Sequence, residues 1–213
     1  MMKQNGKLQD VFIGIAGLIG AGKSTLCKRL QEAGFVVTQE PLEQWVVGPY
    51  DLLSTYYNNP TKYAYLFQCH VLNTLAALTK PPPPGFATFQ ERSIDSNALF
   101  SKLQHVLGHM DDVEYAAYMA QYHTHRSKCR VKGRIFLDVD VDIAMQRIEN
   151  RSRGGEIAVT REYQEQLRDM HIHWQQQEQD NGRPFLVIDT AREDVRSDDV
   201  VRTGRDWIRP LLP

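Results

Sequence analysis

Several features are scarce in this 213-residue chain, and each excludes a class of protein. The three cysteines, Cys27, Cys69 and Cys129, lie far apart and form no C-x-x-C pair, so the sequence indicates neither a disulfide framework nor a zinc knuckle. The formal net charge is only -1, from 25 basic and 26 acidic residues, which leaves no field of one sign to attract nucleic acid or a membrane surface. No signal core is present, and no apolar stretch approaches the ~18 residues that span a bilayer. We therefore expect an intracellular, cytoplasmic protein that binds neither nucleic acid nor membranes.

The order of apolar and amphipathic segments predicts the fold class. A chain of this length suits one well-buried core, so we expect a single domain over residues 1–213. The predicted strands are 11–16, 35–38, 86–89, 135–139 and 185–188. The predicted helices are 25–33, 52–57, 64–78, 93–107, 113–127, 143–151, 161–179 and 194–208. Strands that alternate with helices in this way predict an α/β fold, with a five-stranded parallel sheet covered by helices on both faces.

Residues 17–24, GLIGAGKS, fit the phosphate-binding pattern G-x-x-x-x-G-K-[ST]. The motif follows the first predicted strand and precedes the first predicted helix, which is the context in which it forms an anion cradle. Glycines let the backbone approach phosphate oxygens, Lys23 reaches the outer phosphates, and the Ser24 hydroxyl holds Mg²⁺. The sequence therefore predicts binding of a nucleoside triphosphate. The residues predicted to bind it here are Gly17, Gly20, Gly22, Lys23, Ser24 and Thr25.

Two other predicted strands end in charged residues. Glu40 follows the second strand, and Glu91 and Arg92 follow the third. Ligands of parallel sheets collect at the carboxyl ends of the strands. There Glu40 could accept a proton from an attacking hydroxyl, and Arg92 could hold that carboxylate or the charge on a transferring phosphoryl group. Taken alone, each residue is equally typical of an ordinary surface position.

A cluster of arginines follows the fourth strand. Arg147 and Arg151 are four residues apart on one predicted helix face, and Arg153 precedes two glycines. This pattern predicts a lid over about residues 151–158 that closes arginines over phosphates and excludes water. Without the phosphate-binding motif, the same pattern would indicate a solvated basic helix end.

Together these motifs resemble a known family. GLIGAGKS, EPLEQW (40–45), LFQ (66–68), ERS (91–93) and R-x-x-x-R-x-R (147–153), followed by Glu156, Tyr163 and His171, are similar to the deoxynucleoside kinases of the non-thymidine-kinase-1 type. That group includes deoxycytidine, deoxyguanosine, mitochondrial thymidine and insect multisubstrate kinases. The resemblance runs from about residue 11 to 190. It implies a P-loop kinase fold, ATP and Mg²⁺ as cofactors, a homodimer, and phosphorylation of the 5′-hydroxyl of deoxynucleosides for nucleotide salvage.

The resemblance also implies roles for individual residues. Glu40 corresponds to the general base, with Arg92 beside it and Lys23 at the phosphates, while Ser24 and Glu91 serve Mg²⁺. Arg147, Arg151 and Arg153 correspond to the phosphate-binding lid. The implied deoxynucleoside-binding residues are Trp45, Tyr57, Phe67, Gln68, Val71, Leu75, Arg92, Asn97 and Glu156. Among these, Gln68 binds the base edge, and Tyr57 and Glu156 hold the 3′-hydroxyl.

The sequence departs from some family members where the base would lie. Leu75 and Asn97 occupy positions that carry an arginine and an aspartate in the deoxycytidine and purine-preferring members, and Val71 keeps an apolar neighbour. Without a buried arginine beside the base, there is room for a thymine methyl group. We therefore expect the wall of Val71, Leu75 and Asn97 to favour pyrimidines, thymidine as well as deoxycytidine.

Two other interpretations are compatible with parts of this pattern. A thymidylate-type nucleoside monophosphate kinase also has a phosphate loop and an arginine lid, but it carries Arg before the Glu and glycines after the Pro, where this chain has Gln39 and Leu42. A catalytically inactive kinase-like subunit is a further alternative. The presence of Lys23, Glu40 and Arg92 argues against it.

Overall fold

Five parallel strands form the central sheet of the protein. The computed structural model describes residues 11–79, 87–129, 131–151, 159–190 and 192–211. The sheet has the order β2-β5-β1-β6-β7. Its strands are β1 (Val11–Gly17), β2 (Val36–Thr38), β5 (Ala87–Glu91), β6 (Val131–Asp138) and β7 (Phe185–Asp189). The predicted five-stranded parallel sheet is thus confirmed, and its central strand β1 is buried along its whole length, as expected of a strand covered on both faces.

The sequence did not predict the small antiparallel hairpin of β3 (Val46–Val47) and β4 (Tyr50–Asp51). Each of its strands has only two residues, and all four residues are exposed. A segment this short has no hydrophobic periodicity to detect.

In the part of the chain that the structure describes, eight α-helices connect and cover the strands. They are α1 (Lys23–Glu32), α2 (Leu52–Asn58), α3 (Pro60–Leu78), α4 (Ile94–Val106), α5 (Asp112–Arg126), α6 (Val141–Arg151), α7 (Arg161–Asp180) and α8 (Asp198–Ile208). Each predicted helix is found. The largest differences are four residues. Helix α3 begins at Pro60, four residues earlier than predicted. Helix α8 begins four residues later than predicted because the Ser197 side chain caps it by accepting from Val200 N–H. Within the described residues, no helix is both long and apolar enough to cross a membrane.

The topology brings the polar strand ends together. The chain first builds the β2 and β5 side of β1 and then crosses to β6 and β7 on the other side. All five strands are parallel, so their carboxyl ends meet at one edge of the sheet. One apolar cluster surrounds the sheet, and a second joins α3, α4 and α5 near Trp45. The ligand crevice expected at such an edge lies between these two clusters.

Candidate active site

The phosphate loop between β1 and α1 is tightly packed against its neighbours. Gly17, Gly20 and Gly22 have φ angles of 146°, 83° and 97°, which L side chains rarely adopt. A Cβ atom on Gly20 would lie 2.5 Å from the carbonyl oxygen of Ala144 in α6. The loop therefore requires glycine both for its backbone angles and for its close approach to α6.

Lys23 lies at the start of α1 with its ammonium group turned back onto this loop. Its Nζ donates to the carbonyl oxygens of Leu18, at 2.7 Å, and Gly17, at 3.2 Å. Desolvation by burial, with the charge of Arg92 as the next cause, lowers the Lys23 pKa to about 8. A bound phosphate would offset both effects, because it supplies negative charge to a buried cation.

Two oxygen ligands face each other across the crevice. The Ser24 Oγ in α1 donates to Glu91 Oε1 at the end of β5, at 2.7 Å. Glu91 is 4% exposed. A hydroxyl and a carboxylate at the N-terminus of a phosphate-binding helix are the kind of donor set that Mg²⁺ takes alongside phosphate oxygens. The residues present thus fit a magnesium ion.

Glu40 and Arg92 form an ion pair between Glu40 Oε1 and Arg92 Nε. Burial disfavours the charge on Arg92, but the neighbouring Glu40 carboxylate outweighs it and raises the Arg92 pKa. Arg92 has a φ of 57°, an unusual value for a residue other than glycine. Its backbone N–H donates to Ile15 of β1 at 2.9 Å, and its guanidinium lies 4.1 Å from the centre of the Phe100 ring. A residue in this sparsely populated conformation thus carries the guanidinium that pairs with Glu40.

A cavity of about 720 Å³ joins the phosphate loop to an aromatic slot. The Phe67 ring contacts Trp45 edge-on, with centroids 5.4 Å apart, and stacks on Tyr56 at 5.0 Å. The Trp45 indole N–H donates to Thr74 at 3.1 Å, which fixes the ring. The predicted residues that line the cavity are Gly20, Gly22, Lys23, Ser24, Thr25, Glu40, Trp45, Tyr57, Phe67, Gln68, Val71, Glu91, Arg92, Asn97, Arg147 and Arg151.

Four of the predicted site residues are not among those that line the cavity in the structure. Leu75 is fully buried in the apolar cluster of α3, α4 and α5 and does not line the cavity, in contrast to the prediction. The reason is distance along the helix, since Leu75 lies two turns, or roughly 10 Å, beyond Gln68. Gly17 lies at the base of the loop, behind the lining residues. Arg153 and Glu156 lie outside the described residues, as does most of the predicted lid.

Comparison with known proteins decides the family. The deoxynucleoside kinase family model matches residues 13–208 of the chain. The chain belongs to the deoxynucleoside kinase family. A probable deoxycytidine kinase of fowlpox virus is 34% identical over 169 residues, covering 76% of this chain and 70% of the relative. A deoxyadenosine/deoxycytidine kinase of Bacillus subtilis is 28% identical over 184 residues, covering 81% and 80%.

Solved structures agree with the fold of this deoxynucleoside kinase. The structure of a deoxyadenosine kinase from M. mycoides with bound dCTP has a TM-score of 0.77 and 24% identity, covering 92% of this chain and 99% of the other. The kinase thus has the predicted P-loop kinase fold, and as a member of this family it is a phosphotransferase.

The kinase cavity also contains residues to which the sequence analysis gave no role. Tyr56 forms a wall of the slot, Phe100 lies under Arg92, and Tyr163 lines the same space. The Tyr163 hydroxyl accepts a hydrogen bond from Gln104 at 3.3 Å. The loop after β7 closes the phosphate-loop end, where a Cβ atom on Gly22 would lie 3.2 Å from Val195. The sequence signal for this loop was its position at the carboxyl end of a strand. The aromatic residues gave no such signal, because an aromatic residue of a cavity wall and one of the apolar core follow the same sequence pattern.

Proposed function

We propose that this kinase transfers the γ-phosphoryl group of ATP to the 5′-hydroxyl of deoxynucleosides, with pyrimidines favoured, and so supplies deoxynucleoside monophosphates for salvage. The observation that carries the proposal is that the Glu40–Arg92 pair lines one cavity with the phosphate loop and the aromatic slot. A neutral hydroxyl held in the slot would face a carboxylate base on one side and phosphate ligands on the other.

In this mechanism the chain positions groups and stabilises charge. Glu40 accepts the proton of the 5′-hydroxyl, and Arg92 orients that carboxylate while its positive charge faces the transferring phosphoryl group. Lys23, Arg147 and Arg151 contribute positive charge at the phosphate end of the cavity. Ser24 and Glu91 would hold Mg²⁺, which when bound neutralises charge on the phosphates.

The aromatic slot supports binding of a flat base. Trp45, Tyr56 and Phe67 offer ring faces and edges, and Val71 adds an apolar wall. The Gln68 side chain lines the same cavity with only 3% of its surface exposed. An amide there would bind the polar edge of a pyrimidine. The proposal assigns the 3′-hydroxyl to Tyr57, together with Glu156.

We expect nucleosides, and not their monophosphates, to be the acceptors. Residue 39 is glutamine and residue 42 is leucine, where a thymidylate-type enzyme supplies an arginine and a glycine for the acceptor phosphate. A monophosphate would therefore bring its charge toward the Glu40 carboxylate, and like charges held together cost several kcal/mol. The kcat/KM for deoxycytidine or thymidine should exceed that of the corresponding monophosphate by about 100-fold. Faster phosphorylation of thymidine monophosphate than of thymidine would instead support a monophosphate kinase, and no turnover of any acceptor would support an inactive subunit.

The pKa of Lys23 predicts how activity responds to pH. In the protein without bound phosphate, the Lys23 ammonium has a pKa of about 8. It is therefore charged below that pH and loses its charge as the pH rises through that value. The kcat/KM for ATP, which reports on the free enzyme, should therefore decline above pH 8. A Lys23→Arg variant keeps its charge at all these pH values, so its activity, although lower, should not show this decline. An unchanged kcat/KM of the wild type from pH 7 to 9.5 would contradict the prediction.

Self-association remains a prediction. We expect the implied homodimer to pair through helices, for which α3 and α4 are the candidates, although both bury most of their apolar side chains within the chain. Leu66 of α3 and Val106 of α4 are exceptions, since 49% and 62% of their surfaces are exposed. Sedimentation of the purified kinase would give the oligomeric state.

A further inference from the structure

A buried glutamine of α7, to which the sequence analysis gave no role, contacts the phosphate loop. Gln164 Nε2 donates to the carbonyl oxygen of Ile19 at 2.6 Å. The next carbonyl oxygen along the loop, that of Gly20, accepts from Arg147 in α6 at 3.3 Å. Ile19, Gly20 and Arg147 line the cavity, whereas Gln164 does not line it and is 0% exposed. Gln164 therefore holds the loop from outside the cavity.

The Ile19 carbonyl determines which end of the Gln164 amide faces it. A backbone carbonyl oxygen only accepts hydrogen bonds, so the near atom of the amide has to be the nitrogen. Among the described residues, nothing donates to the other end, Oε1, although that atom is buried. A buried amide with an unpaired oxygen stabilises a fold less than a fully paired one. An apolar side chain of the same length would fill the space without this cost, so burial alone does not explain a glutamine here.

The hydrogen bond from Gln164 fixes the peptide group between Ile19 and Gly20. Gly20 has a φ of 83°, and glycine leaves the backbone more conformational freedom than any other residue. The peptide is trans, so the Gly20 N–H points opposite to the Ile19 carbonyl. Because that carbonyl is turned to Gln164 outside the cavity, the N–H is turned toward the cavity. Among the described residues, no group accepts from this N–H, which leaves it available to a phosphate oxygen.

Helix α7 is anchored to the sheet close to this donor. Leu167, three residues beyond Gln164, is 0% exposed and belongs to the apolar cluster around the sheet. Arg168 donates to both carboxylate oxygens of Asp138 at the end of β6, at 3.1 and 3.2 Å. Core packing and a two-point ion pair therefore set the position of α7 against the sheet, and with it the position of the Gln164 amide.

Building on the proposed function, we propose that Gln164 is a positioning residue for the triphosphate. By holding the Ile19 carbonyl, it aims the Gly20 N–H at a phosphate oxygen of ATP, and it does not touch the nucleotide itself. Hydrogen bonds to a charged phosphate are roughly twice as strong as neutral ones, so a misdirected N–H weakens ATP binding. The rings of the aromatic slot belong to residues 45–67, so binding of the deoxynucleoside should depend little on Gln164.

The first test replaces Gln164 by methionine, which keeps the length and the helix propensity of the side chain and removes the donor. The Kd for ATP with Mg²⁺, from calorimetric titration without an acceptor, should rise about tenfold, as should the KM for ATP. The KM for deoxycytidine should change less than about twofold. The midpoint of urea unfolding should stay near that of the wild type, because the variant removes one unpaired buried oxygen, Gln164 Oε1, and creates another at Ile19.

Gln166→Met is the matched control on the same helix. Gln166 also has an amide oxygen without a partner among the described residues, but its Nε2 donates within α7, to Glu162 at 3.4 Å, and not to the phosphate loop. Its Kd for ATP should equal that of the wild type. The proposal would be overturned by an unchanged Kd for ATP in Gln164→Met, by an equal rise in both variants, or by an equal rise in the KM values for ATP and deoxycytidine.

A measurement on the wild-type kinase decides the matter if Gln164→Met does not fold. In ¹⁵N NMR spectra, the Gln164 side-chain NH₂ signals should be protected from exchange with water before and after addition of ATP and Mg²⁺, and the Gly20 amide signal should shift on addition. Unprotected Gln164 signals or an unmoved Gly20 signal would overturn the proposal. The failures of the two proposals are distinguishable. A wild type that binds ATP but phosphorylates no deoxynucleoside would reject the proposed function, whereas phosphorylation of deoxynucleosides with an unchanged Kd for ATP in Gln164→Met would reject only the role of Gln164.

Discussion

Replacement of Glu40 by glutamine is expected to reduce kcat by about 10²–10⁴-fold, the usual range for loss of a general base. The amide retains the shape of the side chain and an oxygen that accepts from Arg92 Nε, so the cavity should keep its geometry. It cannot accept the proton of the 5′-hydroxyl. Because the interaction lost is one made during the reaction, the KM for the deoxynucleoside should change only a few-fold.

Steady-state kinetics with ATP, Mg²⁺ and deoxycytidine would measure this effect. Glu43→Gln is the matched control, because Glu43 lies three residues further along the same segment and is exposed. Its kcat should equal that of the wild type. A kcat of Glu40→Gln close to the wild-type value would show that another group takes the proton.

Replacement of Asp95 by asparagine should lower the free energy of unfolding by about 3–5 kcal/mol, the cost of removing one partner of a buried ion pair. Asp95 lies in the first turn of α4 and is 4% exposed. Its carboxylate pairs with Arg134 at 2.6 Å and with Arg126 at 2.8 Å, and accepts from Tyr122 at 2.8 Å. Arg134 is 1% exposed and would keep only Glu178, 2.8 Å away, as its carboxylate partner.

Urea unfolding of the two proteins would test this prediction. The control is Asp199→Asn, which breaks an ion pair between two exposed side chains, Asp199 and Arg202, at 2.6 Å. Exposed pairs contribute about 0–1 kcal/mol, so this variant should unfold near the wild-type midpoint. Equal midpoints for Asp95→Asn and the wild type would mean that the buried network contributes little net stability. Because Asp95 shares the first turns of α4 with Asn97, a destabilised variant should also bind the deoxynucleoside less tightly.

The sequence predicted well those structural elements that depend on residues close together in the chain. The five sheet strands, the helices between them and the phosphate loop depend on hydrophobic periodicity and on glycine positions within a few residues of one another. The motif at residues 17–24 determines its own geometry, because only glycine tolerates the backbone of Gly20 and its approach to Ala144. Glu40 and Arg92 were identified as candidates because each follows a strand.

The tertiary structure decided which residues are neighbours in space. Leu75 and Gln68 are on one helix, yet only Gln68 lines the cavity, because Leu75 lies two turns further along α3 and is buried in the apolar cluster of α3, α4 and α5. The sequence gives no sign that Tyr118 of α5, 50 residues from Gln68, is linked to it through Asn97, or that Asp95 meets Arg134 from another element. The amino-acid sequence by itself thus determined the fold, the phosphate-loop motif and the family to which this chain belongs. Only the tertiary structure decided which side chains from distant parts of the chain meet in the cavity and in the buried ion pairs, because folding brings the partners of a buried polar group to it.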